Sequence, residues 1–350
     1  MRRLLLITIA ASLSAIALPQ AADDLVVSRF SDYLDALRDQ AGIPGLAATL
    51  VRPEGTWEKA FGQADVDRAF SARTDTPFHL DAAGQVVAAS IVLRCAEEGH
   101  FTLDDQIGRF APSAAEPNAT FRQILSHTSG PPDNLVFSYR PGRLDWLAPA
   151  MAQCTGRSFR ASMADILNRF AMIDAVPGPD VVSLPPLADG MTPAALARYN
   201  DALLRMAKPY SNDARGRPIA SQYPATTLTP ASGLIASVHD LARFDAALRT
   251  GAIIRADSLT LAWTAPVDKN GARLPHGLGW FVQTYNGERI VWQFGVGDNA
   301  SSSMIITVPG RAMTLVLLAN SQGLSRPFSL AAGDVTGSPF ARLFLSLFLR

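Results

Sequence analysis

The sequence is poor in several features that would assign a protein quickly. It has two cysteines in 350 residues, Cys95 and Cys154, and no Cys-x-x-Cys. Cysteine-ligated metal and dithiol redox chemistry therefore have no support. Its five histidines (His79, His100, His127, His239 and His276) are scattered without ligand spacing, so neither a metal nor a cofactor is expected. Charge of neither sign prevails, since Lys+Arg and Asp+Glu both number 31. No basic stripe alternates with aromatics, which argues against a nucleic-acid partner, and neutrality gives no attraction to an anionic membrane surface. Long hydrophobic runs are missing too. The longest apolar stretch, Leu4 to Leu18, is about 15 residues, short of the roughly 20 that span a bilayer.

That stretch follows Met1-Arg2-Arg3 and precedes Ala21-Ala22, so residues 1–22 read as a secretory signal peptide. The expected product, 23–350, is periplasmic or secreted and has no integral membrane span. Because the position three before the cleavage point is Gln20 or Pro19, an uncleaved N-terminal anchor is the alternative. In an oxidising compartment two cysteines permit one disulfide. Both lie in apolar, helical patterns, so buried free thiols fit at least as well.

With 48% hydrophobic and 18% charged residues the composition is that of a globular protein. Its length exceeds the roughly 250–300 residues at which one core stops growing. Val26, Phe30, Tyr33, Leu34 and Leu37 recur at helical spacing over Leu25 to Ala41. Leu46–Val51 and Thr56–Gly62 read as a hairpin turned at Pro53-Glu54-Gly55. The stretch Ala83–Glu98 is helical and closed by Gly99. A mostly helical middle follows, with Thr192-Pro193 and Ser237-Val238-His239-Asp240 as helix starts. Strand patterns return over Gly277–Thr284, Arg289–Phe294, Ser303–Val308 and Met313–Ala319, and Pro339–Arg350 reads as a packed helix. The expected fold is of α/β (α+β) type: an antiparallel sheet flanked by helices, built from about 23–80 and 275–350, with a helical part, about 81–274, inserted.

Several segments carry a resemblance. Ala96-Glu97-Glu98-Gly99 with Leu103-Asp104-Asp105, Ile124-Leu125-Ser126-His127-Thr128-Ser129-Gly130, Phe137-Ser138-Tyr139, and Leu228 to Leu234 with Asp240 to Phe244 stand in order. Gly277-Leu278-Gly279-Trp280 and Pro309 to Asn320 complete the series. Together they resemble the serine β-lactamase-related family of class C β-lactamases, DD-peptidases and esterases, over about Ile43 to Ser321. The resemblance implies a transpeptidase-like fold in which three motifs meet in one cleft. Ser-x-x-Lys supplies nucleophile and base, Tyr-x-Asn a proton relay and a substrate amide, and Lys-Thr-Gly or His-x-Gly a cation.

Each of these motifs is altered. Counting back from Glu97-Glu98-Gly99 puts Ala82 in the place of the nucleophile and Gln85 in that of the base. Tyr139 is retained, but Pro141 replaces Asn. Counting back from Pro309 puts Phe294-Gly295-Val296 at the third motif, with Gln293 and Phe294 as the only occupants of the basic place. A carboxamide takes no proton near neutral pH, and a serine is a poor nucleophile without a base. No Ser-x-x-Lys or Gly-x-Ser-x-Gly occurs elsewhere in the chain beyond the leader. The expected protein is therefore a degenerate, non-catalytic binding or regulatory member. Its cleft, lined by Ala82, Gln85, Tyr139, Pro141 and Phe294, suits a peptide, a peptidoglycan fragment or a small neutral ligand. The rival reading is an esterase, peptidase or β-lactamase with a rearranged site. Tyr139 is then its relay, whereas in the first reading it only lines the cleft and bonds Gln85.

Overall fold

The structure, a computed structural model, describes residues 17–183 and 190–349. The expected leader lies almost wholly outside the described residues, and helix α1 (Ala17–Gln40) starts within it. Seven strands form the main sheet: β1 (Gly45–Arg52), β2 (Gly55–Asp65), β3 (Phe70–Ser71), β4 (Phe281–Tyr285), β5 (Glu288–Gly297), β6 (Ser301–Val308) and β7 (Met313–Ala319). Their order is β4-β5-β6-β7-β1-β2-β3, and neighbours are antiparallel throughout. The seam where both ends of the chain meet is β1 on β7, with Leu46 opposite Ala319.

The central strands read as unbroken apolar runs because both sheet faces are covered. Side chains alternate faces along a strand. Leu46, Ala48 and Leu50 of β1, with Leu315 and Leu317 of β7, pack on one side against Phe30 and Leu34 of α1 and Phe340 and Phe344 of the last helix, α9 (Pro339–Phe348). Ala47, Val316 and Leu318 face the other way, into the core of the helical middle. That middle holds α2 (Gln85–Glu97), α3 (Phe121–Leu125), α4 (Ala148–Thr155), α5 (Phe159–Arg169), α6 (Pro193–Leu204), α7 (Val238–Arg249) and α8 (Ala256–Ala262). The expected α+β architecture is observed.

Local signals act as their chemistry requires. Thr192 caps α6 through the amide of Ala195, and Ser237 and Asp240 close a capping box on α7. Gly99, at φ +81°, ends α2. Several boundaries move from those expected, two of them for a visible reason. The helix over 83–98 is split into a tight turn at Asp81–Gly84 and then α2. The strand predicted from Gly277 begins at Phe281, because Gly277 donates to the Trp280 carbonyl and Gly279 takes φ +97°. The cysteines are not free thiols: Cys95 and Cys154 form a disulfide joining α2 to α4. Among the described residues no helix is long and apolar enough to cross a membrane.

Candidate active site

Ala82 sits in the turn that opens α2, and the chain reaches it through a sharp reversal. Phe78–His79 pairs antiparallel with Ile235–Ala236, and Leu80 donates to the Leu234 carbonyl at 2.9 Å. Asp81 then takes φ +51°, a left-handed conformation tolerated by Asp far better than by branched residues. Its buried carboxylate is fixed, with Oδ2 accepting from Ser301 at 2.7 Å and Oδ1 lying 2.9 Å from His79 Nδ1. Ser303 donates to the Leu80 carbonyl at 2.6 Å. Both serines belong to β6, so the turn is fastened to the sheet.

Strand β5 passes the same turn so closely that it has no room for side chains there. A Cβ on Gly295 would lie 2.1 Å from the Leu80 oxygen, and one on Gly297 2.8 Å from Asp81 Oδ1. This is the physical reason for both glycines after Phe294. The first and third motif positions thus lie side by side. The second joins them through Tyr139, whose hydroxyl donates to Gln293 Oε1 at 3.1 Å and whose ring lies 5.4 Å from that of Phe294. Gln293 Nε2 donates in turn to the Gly279 carbonyl. A Cβ on Gly279 would meet Ala89 Cβ at 2.4 Å, and Ala89 shares the face of α2 that carries Gln85, four residues earlier.

The five positions predicted to line a cleft are not equally open. Ala82, Tyr139 and Pro141 are half-buried, whereas Gln85 has no exposed surface and Phe294 is 8% exposed. Gln85 is therefore behind the site, not on its wall, and neither of its amide atoms has a hydrogen-bond partner among the described residues. Tyr139 bonds Gln293, not Gln85. Pro141 starts a 3-10 turn through Leu147, a place that needs no amide hydrogen.

Two residues the sequence left scattered are brought together here. His127 and His276 are fully buried with ring centroids 4.6 Å apart, and His127 lies 4.6 Å from Tyr139. At φ +52°, His127 accepts from the Arg140 amide through Nδ1 at 3.3 Å, and its carbonyl accepts from Ser138 at 2.9 Å. These bonds hold the Tyr139 segment from both sides. His276 Nδ1 lies 2.8 Å from the Gly277 carbonyl, which can only accept, so Nδ1 carries the proton. Burial lowers both imidazoles, to about 3 for His276, and the His276, Arg143 and Arg140 charges lower His127 further. Both are neutral at ordinary pH. The only sequence signal for the pair is their neighbourhood, His127 before Thr128-Ser129-Gly130 and His276 before Gly277.

A sequence model of the beta-lactamase family matches residues 30–335. The chain belongs to the beta-lactamase family. Comparison with curated protein sequences returned no match. Among solved structures, the octameric penicillin-binding protein homologue from Pyrococcus abyssi superposes with a TM-score of 0.72 at 17% identity, over 93% of this chain and 78% of its own. A class C beta lactamase from Rhodobacter sphaeroides gives 0.66 at 15%, over 91% and 98%. The D-amino acid amidase from Ochrobactrum anthropi, complexed with L-phenylalanine amide, gives 0.66 at 17%, also over 91% and 98%. At these identities the likeness is one of fold.

In this beta-lactamase family member the turn at Asp81–Gly84 is built, and it holds neither a hydroxyl nor an amine. The Ala82 methyl cannot attack a carbonyl, and the Gln85 amide cannot accept a proton. Burial raises the Tyr139 phenol far above its usual value, so it stays protonated. Other hydroxyls close by serve the backbone: buried Ser90 donates to the Val86 carbonyl at 2.7 Å, and Ser126 to that of Arg122 at 2.8 Å. The cation nearest Tyr139 in sequence, Arg140, is paired with Glu116 at 2.9 Å, as is buried Arg143 at 2.7 Å. His239, with 41% of its side chain exposed, lies 3.1 Å from Glu58. Asp104 pairs with Arg122 at 2.8 Å, and Asp105 accepts from the Thr102 amide. Glu98, His100 and Cys154 converge as a group, but the Cys154 sulfur is bonded to Cys95 and offers no thiolate to a metal.

Proposed function

We propose that this chain is an exported, non-catalytic member of its family that binds a neutral, amide-bearing peptide or a peptidoglycan fragment rather than hydrolysing it. One observation carries the reading: the turn that presents a nucleophile is fully built, yet holds Ala82, with Gln85, partnerless among the described residues, behind it. Without the nucleophile–base unit only binding and oxyanion donors remain, and a triad-type enzyme stripped in this way loses on the order of 10⁶ in rate. Export is favoured by the leader-like N-terminus and by the Cys95–Cys154 disulfide, a bond of oxidising compartments. The amide ligand is favoured by the uncharged character of Ala82, Tyr139, Pro141 and Phe294, and by the amide found in the complex of the structurally similar D-amino acid amidase.

The test is incubation of the purified chain with a fluorescent penicillin, followed by intact-mass measurement. No adduct is expected, and a stoichiometric acyl adduct would overturn the proposal. A thermal-shift series with muropeptides should raise the melting temperature, since a ligand that binds only the folded state stabilises it. The hydrolase reading predicts turnover of a chromogenic ester that disappears in Tyr139→Phe. The non-catalytic reading predicts the same background in both proteins.

A further inference from the structure

The end of α2 opposite to Ala82 gathers donors of another kind. Gly99, at φ +81°, donates to the Ala96 carbonyl at 3.1 Å, and the following His100 amide donates to that of Cys95, also at 3.1 Å. This pair of bonds is the Schellman cap of a helix, and it folds Cys95, Glu98 and His100 into one turn. His100 Nε2 then lies 3.7 Å from Glu98 Oε2, while the other Glu98 oxygen lies 3.8 Å from Arg94. Helix α4 brings Cys154 to the same turn. Its sulfur, a ring nitrogen of His100 and a carboxylate oxygen of Glu98 all lie within 4.8 Å of one another.

While the bridge stands, the two sulfurs are bonded to each other. Opening it adds two thiolates to an imidazole and a carboxylate at one turn. Cys95 has no exposed surface and Cys154 is half-buried, whereas Glu98 and His100 are exposed. A dithiol reductant therefore meets the Cys154 sulfur. One of its thiolates bonds to Cys154, and Cys95 leaves as a thiolate. Its second thiol then displaces Cys154, and the reductant departs as its own disulfide. Two electrons have passed to the protein sulfurs, each of which now takes a proton or a metal.

We propose that the reduced chain binds one zinc ion at this turn, through Cys95, Cys154, His100 and Glu98. Thiolate, imidazole and carboxylate are the donors zinc takes in tetrahedral sites, and two thiolates make the set too soft for magnesium or calcium. Around such an ion a nitrogen and an oxygen ligand lie about 3.4 Å apart and two sulfurs about 3.8 Å. The His100–Glu98 pair is already near the first spacing, and the sulfurs, freed from their bond, part to the second. Zinc displaces the two thiol protons and ties α2 to α4 again in place of the bridge. No local spacing announces the group, because Cys154 lies 59 residues after Cys95. The site stands at the far end of α2 from the Asp81–Gly84 turn, so it works whatever Ala82 does.

The test is a cobalt(II) titration of the full chain, reduced with a dithiol that is then removed by anaerobic gel filtration. Tetrahedral cobalt thiolates absorb in the near ultraviolet and the visible. One equivalent of cobalt gives this spectrum, one of zinc abolishes it, and the oxidised chain gives none. His100→Ala and Glu98→Ala each weaken both metals at least about tenfold, since losing an outer-shell partner alone costs about 10–100-fold. Both residues are exposed, so the oxidised variants melt with the oxidised wild type. Zinc raises the melting temperature of the reduced chain and leaves that of the oxidised chain unchanged. Undiminished binding by the double variant Glu98→Ala/His100→Ala overturns the proposal, because thiolates alone would then hold the metal. Uptake by the oxidised chain, absence of the thiolate spectrum, or a reduced chain that unfolds and is not refolded by zinc overturns it equally.

Discussion

Phe294 and Gly295 are neighbours on β5 with opposite parts in the chemistry of the site. Gly295 belongs to the frame, with Asp81, Gly297, Ser301 and Ser303. These groups set a left-handed turn against two strands with contacts that tolerate no added atom. Phe294 belongs to the reacting set, with Ala82, Gln85 and Pro141, which presents no nucleophile, base or cation. The frame needs backbone conformation and close approach; the reaction needs ionisable and hydroxyl groups. Different side chains carry the two demands, so one set can be emptied while the other stays built. Gln85 carries a cost of its own, since a buried amide without partners among the described residues is unfavourable by about 1–3 kcal/mol.

The largest effect is expected at the far end of α2, the helix that Gln85 opens. The Cys95–Cys154 bridge spans 59 residues, and the chain-entropy relation for such a loop gives about 4 kcal/mol. Replacing both cysteines by alanine should lower the unfolding free energy in urea by that order. A loss under about 1 kcal/mol would mean that packing alone holds α2 against α4. Next comes the frame itself. Gly295→Ala drives a Cβ into the Leu80 carbonyl, a backbone group that cannot rotate away, and should cost about 3 kcal/mol, the upper end for overpacking. Gly142, where an added Cβ would meet nothing within 4 Å, serves as its control: Gly142→Ala should change stability by less than about 0.5 kcal/mol.

What was legible in the sequence follows the same division. The frame's strands and caps are local. Apolar strand patterns over Ser303–Val308 and Met313–Ala319 marked β6 and β7, and Ser237 with Asp240 marked the start of α7. The motif positions could be counted because the spacing from Gly99 and Pro309 is fixed by helix rise and strand length. Contacts between distant residues were not legible. The disulfide and the His127–His276 pair depend on how the helical middle folds over the sheet, and neither residue type signals its partner from 59 or more positions away. The closure of Gln85 was hidden for another reason: an amide in the place of the base reads as cleft wall, and only the packed structure shows it with no exposed surface.

The buried imidazoles sharpen the comparison at intermediate size, because they support Tyr139 without reacting. An unfolded histidine takes its proton near pH 6.5, whereas folded His276 does so only near 3. Between these values the unfolded chain binds the extra proton, so stability is complete above pH 6.5 and falls as pH drops. His276 alone should account for about 2 kcal/mol by pH 5, and His127 acts in the same direction. The Asp240 carboxyl, pushed up to about 6 by burial, takes its proton in the folded state first and returns about 1 kcal/mol over the same range. Unfolding free energy measured from pH 7 to 4 should decline, and His276→Asn should flatten the decline. A flat wild-type profile would mean that these rings are hydrated.

The smallest effect on stability belongs to the position that decides the chemistry. Ala82 is half-buried in a turn, and Ala82→Ser adds one oxygen that water can reach, so unfolding in urea should shift by less than about 0.5 kcal/mol. The new hydroxyl should also remain unacylated by a fluorescent penicillin, because Gln85 cannot take its proton and the Tyr139 phenol, raised by burial, is no base. Labelling of Ala82→Ser alone would show that the frame activates a hydroxyl without Lys, and the separation of frame from reacting set would fail. Labelling only when Gln85→Lys is added would place the whole deficit in the reacting set. That double variant should also be the less stable, because the lysine ammonium would be buried where Gln85 has no exposed surface.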